Sequence, residues 1–142
     1  MIVGFEYHNI EVRRSRRVQS NIKVKHNLSF EEVKLVHLPR FDKKPAIELQ
    51  FTFTVDYTPD VAKIVIGGNI IYTHTKDIVE RAIKTWEKDK KLIPDVSLEV
   101  LNSILTKCNV KALELAEELN LPAHIPLPQL NVAQQKYGEY IG

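Results

Sequence analysis

The stretch that decides the fold is AIELQFTFTVDYTPDVAKIVIGGNII, residues 46–71. Its first half alternates apolar and polar side chains without a break, and the apolar set is Ile47, Leu49, Phe51, Phe53, Val55 and Tyr57. Alternation over this length is typical of an antiparallel strand with one buried face. Thr58, Pro59 and Asp60 then supply turn chemistry, because proline fixes its own φ and an aspartate can bond the local backbone. We therefore predict a β-hairpin whose second strand runs to about residue 73.

Two adjacent glycines, Gly67 and Gly68, interrupt the second strand of this hairpin. Glycines inside a strand indicate a bulge, a bend or a close approach of another backbone. A phosphate-binding loop is excluded, because no third glycine or lysine follows at the required spacing.

Two weaker strand patterns lie upstream, at residues 2–12 and 17–25, where apolar and polar side chains alternate more loosely. Between the second of these and the hairpin, residues 27–44 combine many apolar side chains with a proline and a turn-forming end. This stretch is interpreted partly as strand and partly as a long apolar crossover.

After Thr75 the spacing of apolar residues changes from two to about 3.6, which predicts helices. Thr75 or Asp77 can cap the first helix, Pro94 is expected to end it, and Asp95 or Ser97 is expected to begin a second. The second helix has the stronger apolar stripe, formed by Leu101, Ile104, Leu105, Cys108, Ala112, Leu115, Ala116 and Leu119.

The order of these elements, strands first and helices afterwards, favours an α+β fold over a doubly wound one. The prediction is a four-stranded antiparallel sheet packed on one face by two C-terminal helices. With 142 residues, 44% of them hydrophobic, the chain fits one globular domain. We place the strands at about residues 2–73, the helices at about 76–120 and an extended proline-rich tail at 121–142.

The start of this tail belongs to the segment LNLPAHIPLPQLN, residues 119–131, which is apolar but cannot form a regular helix. Prolines and large apolar side chains share the segment: Pro122, Ile125, Pro126, Leu127, Pro128 and Leu130. Because the prolines hold the chain extended, we predict a strap that closes one side of the core. Ile125, Leu127 and Leu130 are expected to lie across the second helix or beside a groove.

The composition limits where the protein can reside and which covalent bonds it can form. No apolar run approaches the roughly 20 residues that span a bilayer, and the N-terminal residues do not resemble a signal peptide, so a cytoplasmic protein without membrane insertion is predicted. The single cysteine, Cys108, excludes an internal disulfide and is expected in the core.

No constellation for chemistry stands out in the sequence. The five histidines are scattered without the i, i+4 spacing of a helical metal site, and each is expected at the surface or in a turn: His8, His26, His37, His74 and His124. We predict no catalytic residues, no metal and no cofactor, and hence no enzyme.

One charged cluster could bind an anionic partner although the net charge is only +2. It consists of Arg13, Arg14, Arg16 and Arg17. Neutralisation of phosphates supplies most non-specific affinity for nucleic acids, so a nucleic-acid-binding module is the alternative function. The cluster lacks interleaved aromatic residues for base stacking, which makes a solvated turn or edge the simpler interpretation.

Taken in order, these features resemble the SecB family of protein-export chaperones. The resemblance rests on residues 46–71 and on EVLNSILTKCNVKALELAEELNLPAHIPLPQLNV, residues 99–132; its most specific parts are the double glycine and the run Pro128-Gln129-Leu130-Asn131. The chain would be a divergent, archaeal-type member. Bacterial members tend to be acidic, whereas this chain has a pI of about 8.6, which puts docking to the translocase motor ATPase in doubt.

The resemblance implies a holdase that keeps unfolded or precursor polypeptides in surface grooves of a homo-oligomer, either a dimer or a tetramer. A specialised client such as an antitoxin would suit a divergent member. The expected client-binding residues come from the crossover and the strap: Phe30, Val33, Leu35, Val36, Leu38, Phe41, Ile125 and Leu127. Alternatively, the crossover residues cover one end of the core.

Overall fold

The computed structural model describes residues 1–18, 20–39 and 44–128, and all structural statements refer to these ranges. Four strands are followed by two helices: β1 (Ile2–Arg14), β2 (Lys23–Leu38), β3 (Lys44–Thr58), β4 (Ala62–Thr73), α1 (Lys76–Asp89) and α2 (Pro94–Glu118). The predicted α+β class, with a four-stranded antiparallel sheet and two helices, is confirmed.

The sheet has the strand order β1-β4-β3-β2, and every neighbouring pair is antiparallel. The predicted hairpin, β3 and β4, therefore forms the centre, and β1 and β2 form the two edges. The turn of the hairpin is closed by a bond in which the Val61 amide donates to the Tyr57 carbonyl oxygen at 2.9 Å.

The core lies between the helices and one face of the sheet. The apolar side chains of β3 predicted to point inward are at most 1% exposed, whereas the polar residues that alternate with them are half-buried on the opposite, open face. Helix α2 packs against β4 and β1, and α1 packs against β3 and β2. Cys108 of α2 is fully buried as predicted, and burial raises the pKa of its thiol to about 12.

The double glycine marks a close approach between β1, β3 and β4. A Cβ atom added at Gly68 would lie 2.9 Å from Cζ of Phe51 and would overlap the carbonyl oxygen of Glu6. Beside Gly68, the register of β1 against β4 shifts at His8. A Cβ atom added at Gly67 would lie 3.0 Å from Cε1 of the His8 ring. Of the predicted alternatives, the close backbone approach is confirmed at Gly68, whereas the irregular residue, His8, belongs to β1 and not to the glycine-bearing strand.

Two boundaries differ from the sequence prediction. Residues 27–38 of the predicted crossover belong to one continuous edge strand, β2, and only the last three residues of the predicted 17–25 strand belong to it. Pro94 does not end α1 but is the first residue of α2, a position where the missing amide of proline costs no hydrogen bond. Helix α1 ends earlier because Lys90 adopts a left-handed conformation, with φ of 55°.

The start of α1 is as predicted, since the hydroxyl of Thr75 accepts a hydrogen bond from the Ile78 amide at 3.4 Å. Within the described ranges, neither helix combines the length and the apolar character needed to cross a membrane.

Candidate functional site

The strap, defined here as residues 121–128, is tied to the helix-side face of the sheet. The hydroxyl of Tyr57 in β3 donates a hydrogen bond to the carbonyl oxygen of Pro122 at 2.7 Å, and burial raises the pKa of that hydroxyl, which keeps it a donor. Leu121 is only 7% exposed and belongs to the core. The predicted contact of Leu130 lies outside the described residues.

His124 is the most unusual side chain of the strap, because it is polar and yet only 6% exposed. Its Nε2 lies 2.7 Å from Oδ1 of Asn109 in α2. Its ring meets the rings of Phe53 and His26 edge-on, with centroid distances of 6.2 and 6.0 Å. The predicted surface position is therefore wrong for His124, although the residue does lie at a bend of the chain.

The environment of His124 favours the neutral imidazole. Burial lowers its pKa from the usual 6.5, and the neighbouring His26 lowers it further. Among the described residues, no hydrogen-bond partner reaches its Nδ1, which is itself buried. Sequence spacing could not reveal this site, since its members come from β2, β3, α2 and the strap.

Three of the predicted client-binding residues, Phe30, Val33 and Leu35, lie on the helix side of the edge strand β2. Opposite Val33 and Leu35 on β3 lie Leu49 and Ile47, which are completely buried. On β2 the covering is incomplete: Val33 is 7% exposed, Phe30 is half-buried and Leu35 is 47% exposed. The helical layer thus covers the central strands fully and the edge strand only in part.

The other predicted members are placed differently. Val36 and Leu38 are paired with Ala46 and Lys44 on β3, and strand alternation directs Val36 away from the side of Leu35. Phe41 lies outside the described residues. The structure therefore does not bring the whole predicted set to one surface.

Open grooves flank the strap. One, of about 630 Å³, lies between the last turns of α2, Val18 and the strap residues Leu121 and Leu127. A second, of about 640 Å³, is lined by strap residues 122–127. Leu127 is 51% exposed and Ile125 is half-buried, so both predicted strap residues line apolar grooves that solvent can enter.

The arginine cluster is divided between structural and exposed roles. Arg14 donates from Nη1 to the carbonyl oxygen of Leu119 at 3.0 Å, and Arg16 donates from Nη2 to that of Pro59 at 2.5 Å. Because α2 has no basic residue in its last turn, Arg14 supplies the cation that the helix dipole favours there. Arg13 and Arg17 are exposed and have no such role among the described contacts.

The arrangement of a four-stranded antiparallel sheet with two C-terminal helices on one face is a SecB-like fold. Among solved structures, the chain is similar to the SecB-like chaperone Rv1957 of Mycobacterium tuberculosis, determined in complex with a ChAD peptide from the Rv1956 HigA1 antitoxin. The TM-score is 0.56 and the identity 15%, over 92% of this chain and 90% of that one. At this identity the likeness shows the fold. No protein-family profile and no curated protein matches the chain.

Proposed function

We propose that this protein is a divergent SecB-family chaperone, acting as a single domain that holds unfolded or precursor polypeptides in an apolar groove without cofactor or catalysis. The observation that carries the proposal is the incomplete cover of β2, where Leu35 remains 47% exposed opposite a fully buried Ile47. A free apolar surface of this kind has a cost in water that a bound chain relieves.

The groove would run along the helix side of β2. One end would lie at His26, whose ring centroid is 6.0 Å from that of His124 in the strap, and the other would lie at Leu35. These positions are nine residues apart, and with a rise of about 3.3 Å per residue the span is about 25–30 Å. An extended client segment of about eight residues matches this length.

Client contacts would come from both ends of the groove. Phe30, Val33 and Leu35 offer apolar side chains on β2, and Ile125 and Leu127 offer them on the strap. Val36 and Leu38 are left out of the proposed groove, since they do not share the face of Leu35. The proposed contacts are side-chain contacts to apolar surface, which suits clients without a common sequence.

We further propose a cytoplasmic homo-oligomer, a dimer or a tetramer, with a specialised client such as an antitoxin. The antitoxin peptide bound by the similar Rv1957 chaperone supports this class of client. The outer edge of β1 supports assembly, because within the described residues β1 pairs only with β4. Solution mass by light scattering tests it: a dimer or tetramer is expected, and a monomer at micromolar concentration would contradict it.

The chaperone proposal is tested by suppression of light scattering from an aggregating client protein. Wild-type protein is expected to suppress aggregation, and the Leu35→Ser variant to bind a fluorescent unfolded client more weakly. About half of the Leu35 side chain is still exposed, and burying it against a client would contribute roughly 1 kcal/mol. The affinity of the Leu35→Ser variant for the client should therefore fall about 3- to 10-fold. Leu98→Ser is the matched control, because Leu98 is 70% exposed but lies on α2. No suppression at several-fold molar excess of wild-type protein would refute the proposal.

A further inference from the structure

We propose that His26 and His124 form a pH-sensitive latch, which holds the strap on the sheet at neutral pH and releases it in mild acid. The latch joins an exposed residue of β2 to a buried residue of the strap through ring contact at 6.0 Å. Its effect on clients rests on the proposed function, whereas its effect on the strap does not.

The geometry accommodates a neutral imidazole and opposes a charged one. A neutral ring needs partners for one donor and one acceptor, and Asn109 supplies a partner for Nε2 at 2.7 Å. A protonated ring carries two donors, and its second donor, Nδ1–H, would be buried without a partner among the described residues. An unpaired donor on a charged, buried ring is strongly unfavourable. Phe53 beside the ring provides no acceptor.

Among the described residues, no negative charge facing His124 is found that would compensate for a proton. From β2 the facing group is His26, a second imidazole, whose charge would repel that of His124. From β3 the titratable group is Tyr57, which is protonated and bonded to Pro122. From α2 the side chain that meets His124 is Asn109, which carries no charge.

Among the described residues, the acidic residue that lines the groove beside Leu121 and Leu127 is Glu117 of α2. The lowered pKa of His124 is caused by burial and by His26. The strap itself contains no other ionisable side chain between residues 121 and 128. Protonation of His124 is therefore opposed by burial and by His26, and the described groups of β3 and α2 beside the ring supply no charge that compensates for it.

The direction of the pH response follows from the lowered pKa of His124. Well above pH 6.5 the imidazole is neutral in both the closed and the released strap, so protonation does not weaken the latch. As the pH falls below 6.5, a released His124 gains its proton first, which favours release. The effect is complete once the pH is below the pKa of the closed form. For each unit by which the pKa of the closed form is lowered, the equilibrium constant between the closed and the released strap changes about tenfold on acidification.

Release of the strap would remove one wall of the proposed client groove. Ile125 and Leu127 would leave with it, so a bound polypeptide would lose the apolar contacts at the His26 end of β2. We expect acidification to promote client release for this reason.

The latch is tested on the full-length chain without a client, so that its failure is distinguishable from failure of the chaperone proposal. Histidine NMR titration gives the pKa of His124, and amide hydrogen exchange of residues 121–128, corrected for intrinsic rates, gives strap protection. From pH 7.5 to 5.0 we expect protection to fall about tenfold for each unit of lowered pKa.

Variants assign the effect to the two rings. In His124→Leu, which stays neutral, protection should not depend on pH. In His26→Gln, the pKa of His124 should rise toward 6.5 and the loss of protection should shrink. His8→Gln, an exposed residue of the opposite edge strand, is the control and should behave as wild type. Constant protection in the wild type, or an undiminished loss in His124→Leu, would overturn the proposal.

Client binding is then measured separately at pH 7.5 and 5.5. If the strap responds to pH while no client binds at either pH, the latch stands and the chaperone proposal fails. If clients bind but the strap keeps its protection in acid, the latch fails and the chaperone proposal stands.

Discussion

Removal of the strap should destabilise the fold and weaken client binding together. The perturbation is a chain that ends at Asn120, compared with a control chain that ends at Pro128 and keeps the strap. Both variants lack residues 129–142, so the difference between them isolates residues 121–128.

The expected magnitude follows from two contacts. Leu121 is 7% exposed, and burial of a leucine side chain contributes about 1.5–3 kcal/mol. The hydrogen bond from Tyr57 to Pro122 contributes about 0.5–1.5 kcal/mol net. The two together give about 2–4.5 kcal/mol of unfolding free energy. For a chain of this size that corresponds to a decrease of about 8–15 °C in melting temperature.

Urea and thermal unfolding followed by circular dichroism measure this difference, at one fixed protein concentration because oligomer stability depends on it. Client affinity is measured in parallel with a fluorescent unfolded polypeptide. If the unfolding free energy differs by less than about 1 kcal/mol and client affinity is unchanged, the strap is neither part of the core nor a wall of the groove.

Two further substitutions test the packing around the sheet, each with its neighbour as control. Gly68→Ala should destabilise the protein by about 2–4 kcal/mol, because its Cβ would overlap the carbonyl oxygen of Glu6; Gly67→Ala should cost less, since its close contact is a side chain that can move. Urea unfolding compares the two, and equal effects would contradict the close approach. Arg14→Ala should lower stability by about 0.5–1 kcal/mol through loss of the α2 C-terminal contact, and Arg13→Ala should not. If Arg13→Ala abolishes retention on heparin at low salt, the nucleic-acid alternative gains support; if wild type is not retained, that alternative is excluded.

The hairpin and the helices could be predicted from sequence because each signal is local. Strict alternation in β3 and the 3.6-residue stripe of α2 need no knowledge of distant residues. The role of Pro94 was predicted wrongly because a proline can either end one helix or begin the next. Helix α1 ends at the left-handed Lys90, and a lysine in this conformation has no clear sequence signal. The length of β2 could not be predicted either, because apolar and polar residues do not alternate strictly in an edge strand that is only partly covered.

The candidate site was less predictable, because it depends on which face of a strand each residue takes. The bulge in β2 between Phe30 and Glu32 shifts the alternation, so Val33 and Leu35 share the face of Phe30 although their spacing from it is odd. His124 could not be recognised at all. Its burial depends on Asn109, Phe53 and His26, and nothing in the primary sequence links these positions.

The edge strand β2 combines two properties that are usually in conflict. An exposed edge with apolar side chains invites pairing with other chains, and proteins limit this with charges and bulges. On the face opposite Leu35, β2 carries the half-buried Val36 and Leu38 but also exposed Lys23, Lys25 and Lys34, and Lys34 lies 3.8 Å from Glu48 across the strands. The bulge interrupts the backbone pattern that another edge would need. Apolar surface is thus offered on the helix side, where α1 and the strap limit access, while charge on the other face opposes sheet-to-sheet aggregation. The lysines on this face would limit aggregation of a protein that exposes the proposed client groove.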